Sequence, residues 1–520
     1  MIGAENMKYR IVYGCNNILA ICLCLAVASA TRTLAADIAD GATWTDTSGS
    51  GDANLLGSAT LGADNHVDNL TVSPTANGKS LSNDGAFDSI TINSDLLTLL
   101  PNNVQYSFQP NAVFNGGGVA IINQITGSMN FSGEITAPNG LTKTGNGRFT
   151  LTSDSSGIEG TFTIAGEVAL RTTVELADDL IVDVVGGKKL KMWDGGNISI
   201  GELVLTDGSI ERWYGGGSDY IDAGTFTLKK GSVSAELTGS GNLVKTTGDT
   251  VTLSGPYDTG RSSYEPGGTH TYTGSTTVEA GTLALVHPTS ENIISSSPTI
   301  SVDAGATLDV TGMTAGFTVA GSQTLKNSGT VNGAVTLEGN LSLADVVSGG
   351  SAITSATLDD LTFGDTGIYQ YTLDDSSYDN SSIDYSTGAY KSFDQSDLLT
   401  VNSLDLGSSP TIEVNAFGGG GITQFREFVL FEIANGSDDF TANFDANSFV
   451  FQPGVGTTFD STYFVKLLAN AGPDNEDLII FTTIPEPSSL LLVGLGACVA
   501  LLGLRKKDRF PFWQGLRVRS

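Results

Sequence analysis

Between about residue 140 and residue 345 the chain repeats one short pattern: a few alternating apolar and polar residues, a glycine, then a second alternating run. Thr276-Thr277-Val278-Glu279-Ala280-Gly281-Thr282-Leu283-Ala284-Leu285 is the clearest copy. Residues 162–170, 301–310 and 335–343 carry it too, and Phe226-Thr227-Leu228 leads to Gly231 and Val233 in the same way. Alternation with a period of two predicts β-strands, with Val278, Leu283 and Leu285 turned inward and threonines outward. Glycine supplies the positive φ that a sharp arc needs. One such unit cannot bury its own apolar side. Stacked units can, and each backbone then pairs with the coils above and below. The expected fold is all-β: a right-handed parallel β-helix, or β-solenoid, over residues 37–350, with insertions at turns such as 256–268. An array of β-sandwiches is the alternative.

After residue 350 the pattern changes. Residues 369–397 are rich in Asp, Ser and Tyr, alternation resumes over 398–406, and Gly418 to Gly421 break it again. More aromatic and apolar strands are predicted at 425–431 and 463–468. These residues, 351–483, are expected to form a smaller C-terminal β domain that caps the solenoid, because a bare end would leave strand edges unpaired.

The two ends follow a different logic. Lys8 and Arg10 precede an apolar stretch from Ile18 to Ala28, and Ala28-Ser29-Ala30 then offers small residues for signal peptidase. Thr33-Leu34-Ala35-Ala36 offers a second cleavage point. Residues 1–36 therefore read as a signal peptide cut after Ala30 or Ala36. At the other end, Pro485-Glu486-Pro487 precedes an apolar run from Leu490 to Leu504, closed by Arg505-Lys506-Lys507. A helix over about 488–504 approaches the thickness of a bilayer core once Ser488, Ser489 and the snorkelling basic residues are included. The basic cluster favours the cytoplasmic side and so places Pro485 outside.

This tail resembles the PEP-CTERM sorting signal of Gram-negative bacteria, on Pro485, Glu486, Pro487, the Gly/Leu-rich span and the basic cluster at Arg505, Lys506 and Lys507. The resemblance covers about 25 residues of the segment 484–520, which departs from the family's pattern by continuing from Asp508 to Ser520, and it implies a substrate of exosortase, a membrane transpeptidase. It further implies a protein exported to the cell surface or beyond, anchored transiently in the inner membrane, and associated with exopolysaccharide or biofilm. Within the body, Leu141-Thr142-Lys143-Thr144-Gly145 and Leu243-Val244-Lys245-Thr246-Thr247-Gly248 lead into alternating strands, and Gly281-Thr282-Leu283 completes the second copy. These units resemble the autotransporter-associated β-strand repeat, which implies a surface-exposed β-helical passenger.

Charge and composition narrow the function. Gly makes up 65 of the 520 residues, and charged residues only 16%. With nine basic residues set aside at the two ends, the body keeps 16 basic against 54 acidic residues. Such a field repels nucleic acid, which excludes it as a partner, and favours solubility outside the cell. Cys15, Cys22, Cys24 and Cys498 all lie in or beside the terminal apolar segments. The body therefore has no disulfide framework and no thiolate metal site.

Little chemistry is legible. His66, His270 and His287 are far apart in sequence and read as isolated histidines. No phosphate-cradling loop precedes a helix. A polysaccharide lyase or hydrolase would need facing carboxylates or a base near them. Asp359, Asp360, Asp374, Asp375 and Asp379 offer the carboxylates, and Lys189, Lys191, Arg212, Arg261 and Lys391 offer the base. Nothing in their spacing ties them together, so no enzyme is expected. Trp193, Trp213 and Tyr214 are candidate sugar-stacking residues of a carbohydrate-binding adhesin, or else packing residues. No cofactor is expected apart from calcium held within residues 374–397. Expected partners are signal peptidase, exosortase, the membrane before processing, and an extracellular polysaccharide.

Overall fold

The computed structural model describes residues 36–485, as short segments up to residue 99 and nearly continuously from residue 105. Outside the description lie 1–35, 486–520 and several internal stretches, the longest being 45–52, 257–267, 344–353, 375–382, 418–425, 435–443 and 469–476. Both halves of the proposed signal and sorting helices fall there, as does most of the 256–268 insertion. Among the described residues no helix is long and apolar enough to cross a membrane.

The described elements are strands, and most of them pair in parallel. The protein is a parallel β-helix. Two compact units divide it: residues 1–325 with 329–335, and 326–328 with 336–520.

In the first unit each coil contributes one rung to each of several ladders. Along one ladder Leu141 pairs with Phe162, Phe162 with Val182, Val182 with Leu203, Leu203 with Phe226, and Phe226 with Leu243. Along a second, Met129, Phe149, Val168, Leu190, Ile210, Val233, Leu253 and Leu285 stand in one column. All of these side chains are buried. A third side carries Ile198, Ile221 and Leu237 in register. The alternation explains the columns: period two sends every second residue inward, and in-register parallel pairing places like on like. Each buried Leu, Val or Phe contributes roughly 1.5–3 kcal/mol, which is how a body without disulfides is held. Phe108 and Phe131 stack with ring centroids 4.6 Å apart within such a column.

The arcs need glycine where coils approach closely. Gly145 has φ 79° and Gly281 φ 67°. A Cβ at Gly145 would collide with the Gln124 carbonyl of the preceding coil, and one at Gly281 with the carbonyls of Thr247 and Asp249.

The second unit is also mostly parallel and ends in antiparallel pairing. Leu341 pairs with Tyr369, Tyr369 with Ile412 and Ile412 with Phe451. Leu358 pairs with Val401 and Val401 with Ile433. Within this unit the longer strands up to Val450–Pro453 pair in parallel with one another. The final hairpin, Ser461–Leu468 and Asp477–Pro485, is antiparallel. Asp477–Pro485 also pairs antiparallel with Arg426–Ile433. It covers a cluster of Leu398, Val429, Leu478 and Ile480.

Candidate functional site

Four consecutive strand segments build the outer face that carries the candidate aromatic residues: the C-terminal half of Leu141–Leu151, the C-terminal half of Thr161–Arg171, Lys188–Trp193 and Gly208–Tyr214. Their inward residues are the core column above, so the alternate residues must face out. Arg148 pairs with Glu167, Ala169 with Lys191, Lys191 with Glu211, and Arg171 with Trp193. A register shift between Met192 and Trp193 sets Trp193 opposite Tyr214.

The shift brings the two indoles together. Trp193 and Trp213 meet edge to face, with centroids 4.7 Å apart. The Arg148 guanidinium carbon lies 5.2 Å from the Trp193 centroid and 5.0 Å from that of Trp213. Arg171 lies 5.0 Å from the Trp193 centroid, and the Lys191 ammonium 4.1 Å from that of Trp213. Such contacts each contribute about 0.5–2 kcal/mol, depending on desolvation. This second layer covers the sheet beneath it. Thr150, Ala169 and Lys191 face outward by register and are nevertheless buried.

Ion pairs follow the rungs. Lys191 Nζ is 2.9 Å from Glu167, Lys189 Nζ 2.7 Å from Glu211, and Arg171 Nη2 2.8 Å from Asp194. Arg212 lies 3.2 Å from buried Asp219, whose carboxyl is pushed up by burial against the pull of that guanidinium. Arg148 and Lys188 differ. Arg148 Nη2 donates to Ser128 Oγ at 3.4 Å, and Lys188 Nζ to Asn146 Oδ1 at 2.9 Å. The Arg148 Nε and Thr150 Oγ1 are buried without a hydrogen-bond partner.

Of the candidate sugar contacts, the structure thus unites Trp193 and Trp213; Tyr214 is their neighbour along the ladder, its side chain outside the description. Sequence reasoning missed Arg148, Arg171 and Glu167. The available signal was the recurrence of basic and aromatic residues about one coil apart, at 148, 171, 191–193 and 211–213, on outward positions.

The remaining candidates stay apart. Asp359 accepts from Asn402 and Asp360 from Ser403 along their ladder. The side chain of Asp374 and all of Asp375, Asp379, Arg261 and Lys391 lie outside the described residues. Among the described residues no group of three His, Cys, Asp or Glu side chains is gathered to hold a metal ion. His270 is fully buried: its Nδ1 accepts the Leu237 N–H at 3.2 Å, and its Nε2 is 3.0 Å from the Ser254 carbonyl. His287 Nδ1 accepts the N–H groups of Thr289 and Ser290. Both are structural ties between or within turns. His66 lies in the strand Asn65–Val67.

The sorting residues begin inside the fold. Pro485 ends the strand Asp477–Pro485 and pairs with Ser461, while Ile484 pairs with Thr462. Glu486, Pro487, Arg505, Lys506, Lys507 and Ala30 lie outside the described residues. Ala36 opens the strand Ala36–Ile38 and pairs with Ala53.

Comparison with known proteins agrees with this tail. The family model of the PEP-CTERM protein-sorting motif matches residues 483–507. No curated protein and no solved structure matches the chain. The chain carries a PEP-CTERM sorting motif, which marks it for export and for sorting to the cell surface through exosortase.

Proposed function

We propose that this PEP-CTERM protein is a structural component of the bacterial cell surface or extracellular matrix, a β-solenoid without catalytic role that associates with exopolysaccharide or biofilm. The observation that carries this reading is the join between body and tail. The matched motif starts at residue 483, while residues 483–485 are still paired in the last hairpin. All of the described body but its last three residues therefore precedes the motif, with no described linker between them, so sorting the motif delivers the solenoid itself.

The side chains considered for polysaccharide cleavage support a structural role. Lys189, Lys191 and Arg212 are engaged with Glu211, Glu167 and Asp219 rather than with a pair of facing carboxylates. A lyase acting on a pectin-like polymer would release unsaturated uronates, and a flat absorbance trace is expected instead.

The test is fractionation of the native host into surface, periplasm and medium, with immunoblotting and the mature mass. The full chain is compared with one stopped after Ile484. Loss of the tail and surface delivery of the full chain, with the shortened one misplaced, upholds the reading. An intact tail retained in the inner membrane overturns it.

A further inference from the structure

The body's positive charge is concentrated. Ten of its 16 basic residues fall between Lys143 and Lys245, although that segment also carries 14 acidic residues. The four strand segments above carry six of them, Arg148, Arg171, Lys188, Lys189, Lys191 and Arg212; Asp194, Glu211, Glu167 and Asp219 pair with four, which leaves Arg148 and Lys188 in excess. Two of the chain's four tryptophans stand on the same face. An acidic protein that merely needed solubility would have no use for this excess.

From this arrangement we infer that the face is a binding site for an acidic polysaccharide, a polymer whose sugar rings carry carboxylates. The argument is geometric and electrostatic. Rungs of a parallel sheet repeat about every 4.8 Å, close to the length of one pyranose unit. A glycan chain lying along the ladder would therefore meet a new outward residue at each ring. Trp193 and Trp213 are each half-buried, so part of each indole stays open to the C–H groups of a sugar. The cations on their ring faces hold the indoles in place, which lowers the ordering cost of binding.

Arg148 is the expected carboxylate contact. It lies against both indoles, it is not ion-paired with a carboxylate among the described residues, and it is half-buried rather than enclosed. Lys188 is likewise without a carboxylate partner among the described residues. Bonds from guanidinium to carboxylate are charge-assisted and are among the stronger ones available to a surface. Nucleic acid also presents anions, but the −31 net charge of the chain opposes a long, densely charged polymer. A uronate chain combines sparser charge with rings that can stack.

The inference rests on the surface role proposed above only in supplying the polymer, and its test is independent of sorting. The detergent-solubilised full chain is measured by affinity electrophoresis and calorimetry against polygalacturonate, neutral dextran and double-stranded DNA. We expect retention by polygalacturonate alone. Arg148→Gln and Trp213→Ala should each weaken it about tenfold or more, while Lys230→Gln, outside the face, leaves it unchanged. Circular dichroism checks folding. If Trp213→Ala does not fold, Arg148→Lys, which keeps the charge, should retain binding that Arg148→Gln loses. Absence of retention by polygalacturonate, equal retention by DNA, or equal losses in Arg148→Gln and Lys230→Gln would each overturn the site. A chain that binds but is not sorted would refute the surface role and leave the site standing.

Discussion

Lys143 and Lys245 stand in one inward column of the same parallel ladder, a column that also holds Ile122, Ile164, Val184, Leu205, Leu228, Val278 and Val302. Both are buried, and both turn the ammonium group onto carbonyls of the following turn. Lys143 Nζ donates to Thr144 O at 2.7 Å, Gly147 O at 3.0 Å and Gly145 O at 3.4 Å. Lys245 Nζ donates to Thr247 O and, at 2.9 Å, to Ala280 O one coil further on. The aliphatic stem continues the apolar column while the charged end satisfies turn carbonyls that would otherwise be buried unpaired.

Replacing either lysine by methionine should therefore destabilise the first unit, although methionine is the more apolar residue. Leaving two or three carbonyls without a donor costs about 2–4 kcal/mol. Denaturant unfolding checks this, and Lys143→Gln should recover part of the loss. A Lys143→Met protein as stable as the parent would show that the carbonyls find other donors.

His270 makes the first unit sensitive to acid. Burial lowers its pKa to about 4, since a second ring proton would be desolvated and would face the Leu237 N–H. The folded value lies below the unfolded value of about 6.5. The stability it contributes is thus complete above pH 6.5 and is lost as pH falls towards 4. The full swing is about 3 kcal/mol. In His270→Gln this part of the pH dependence should vanish; parallel curves for the two proteins would refute the assignment.

Asp397 acts with the opposite sign in the second unit. Its carboxylate accepts the N–H groups of Thr354 at 3.1 Å and Thr372 at 3.0 Å, yet burial outweighs them and raises its pKa to about 7. Stability from this group is complete below the unfolded value of about 3.9 and is lost as pH rises through 7, by about 4 kcal/mol at most. Asp397→Asn should flatten the response of the second unit between pH 4 and 7, read by chemical unfolding followed at that unit's tyrosines. A pH response identical to that of the parent would place the titration elsewhere.

The two candidate signal cleavage points are not equivalent in the fold. Cutting after Ala30 keeps the rung Ala36–Ile38 whole, whereas cutting after Ala36 removes its first residue and leaves Ala53 unpaired there. The mature chain is expected to begin at Thr31, which N-terminal sequencing of the exported protein decides. A start at Asp37 would show that the rung is dispensable.

What the chain's own order determined is what local periodicity and short linear motifs can encode. Alternation with a period of two marks Val278, Leu283 and Leu285 as inward and predicts coils that must stack, because the side on which a residue points depends only on its neighbours. The tail was legible for a similar reason: Pro485, Glu486 and Pro487 beside an apolar run form a contiguous signal, and the family match falls on it. Tertiary structure decided which rung meets which. That depends on the length of every turn between coils, and a single register shift after Met192 changes the outcome. Trp193 meets Trp213 and Arg148 only because residues from three of four consecutive rungs are brought onto one face. Lys143 and Lys245 point inward against their polarity because the carbonyls that hold them gather only when the arcs close.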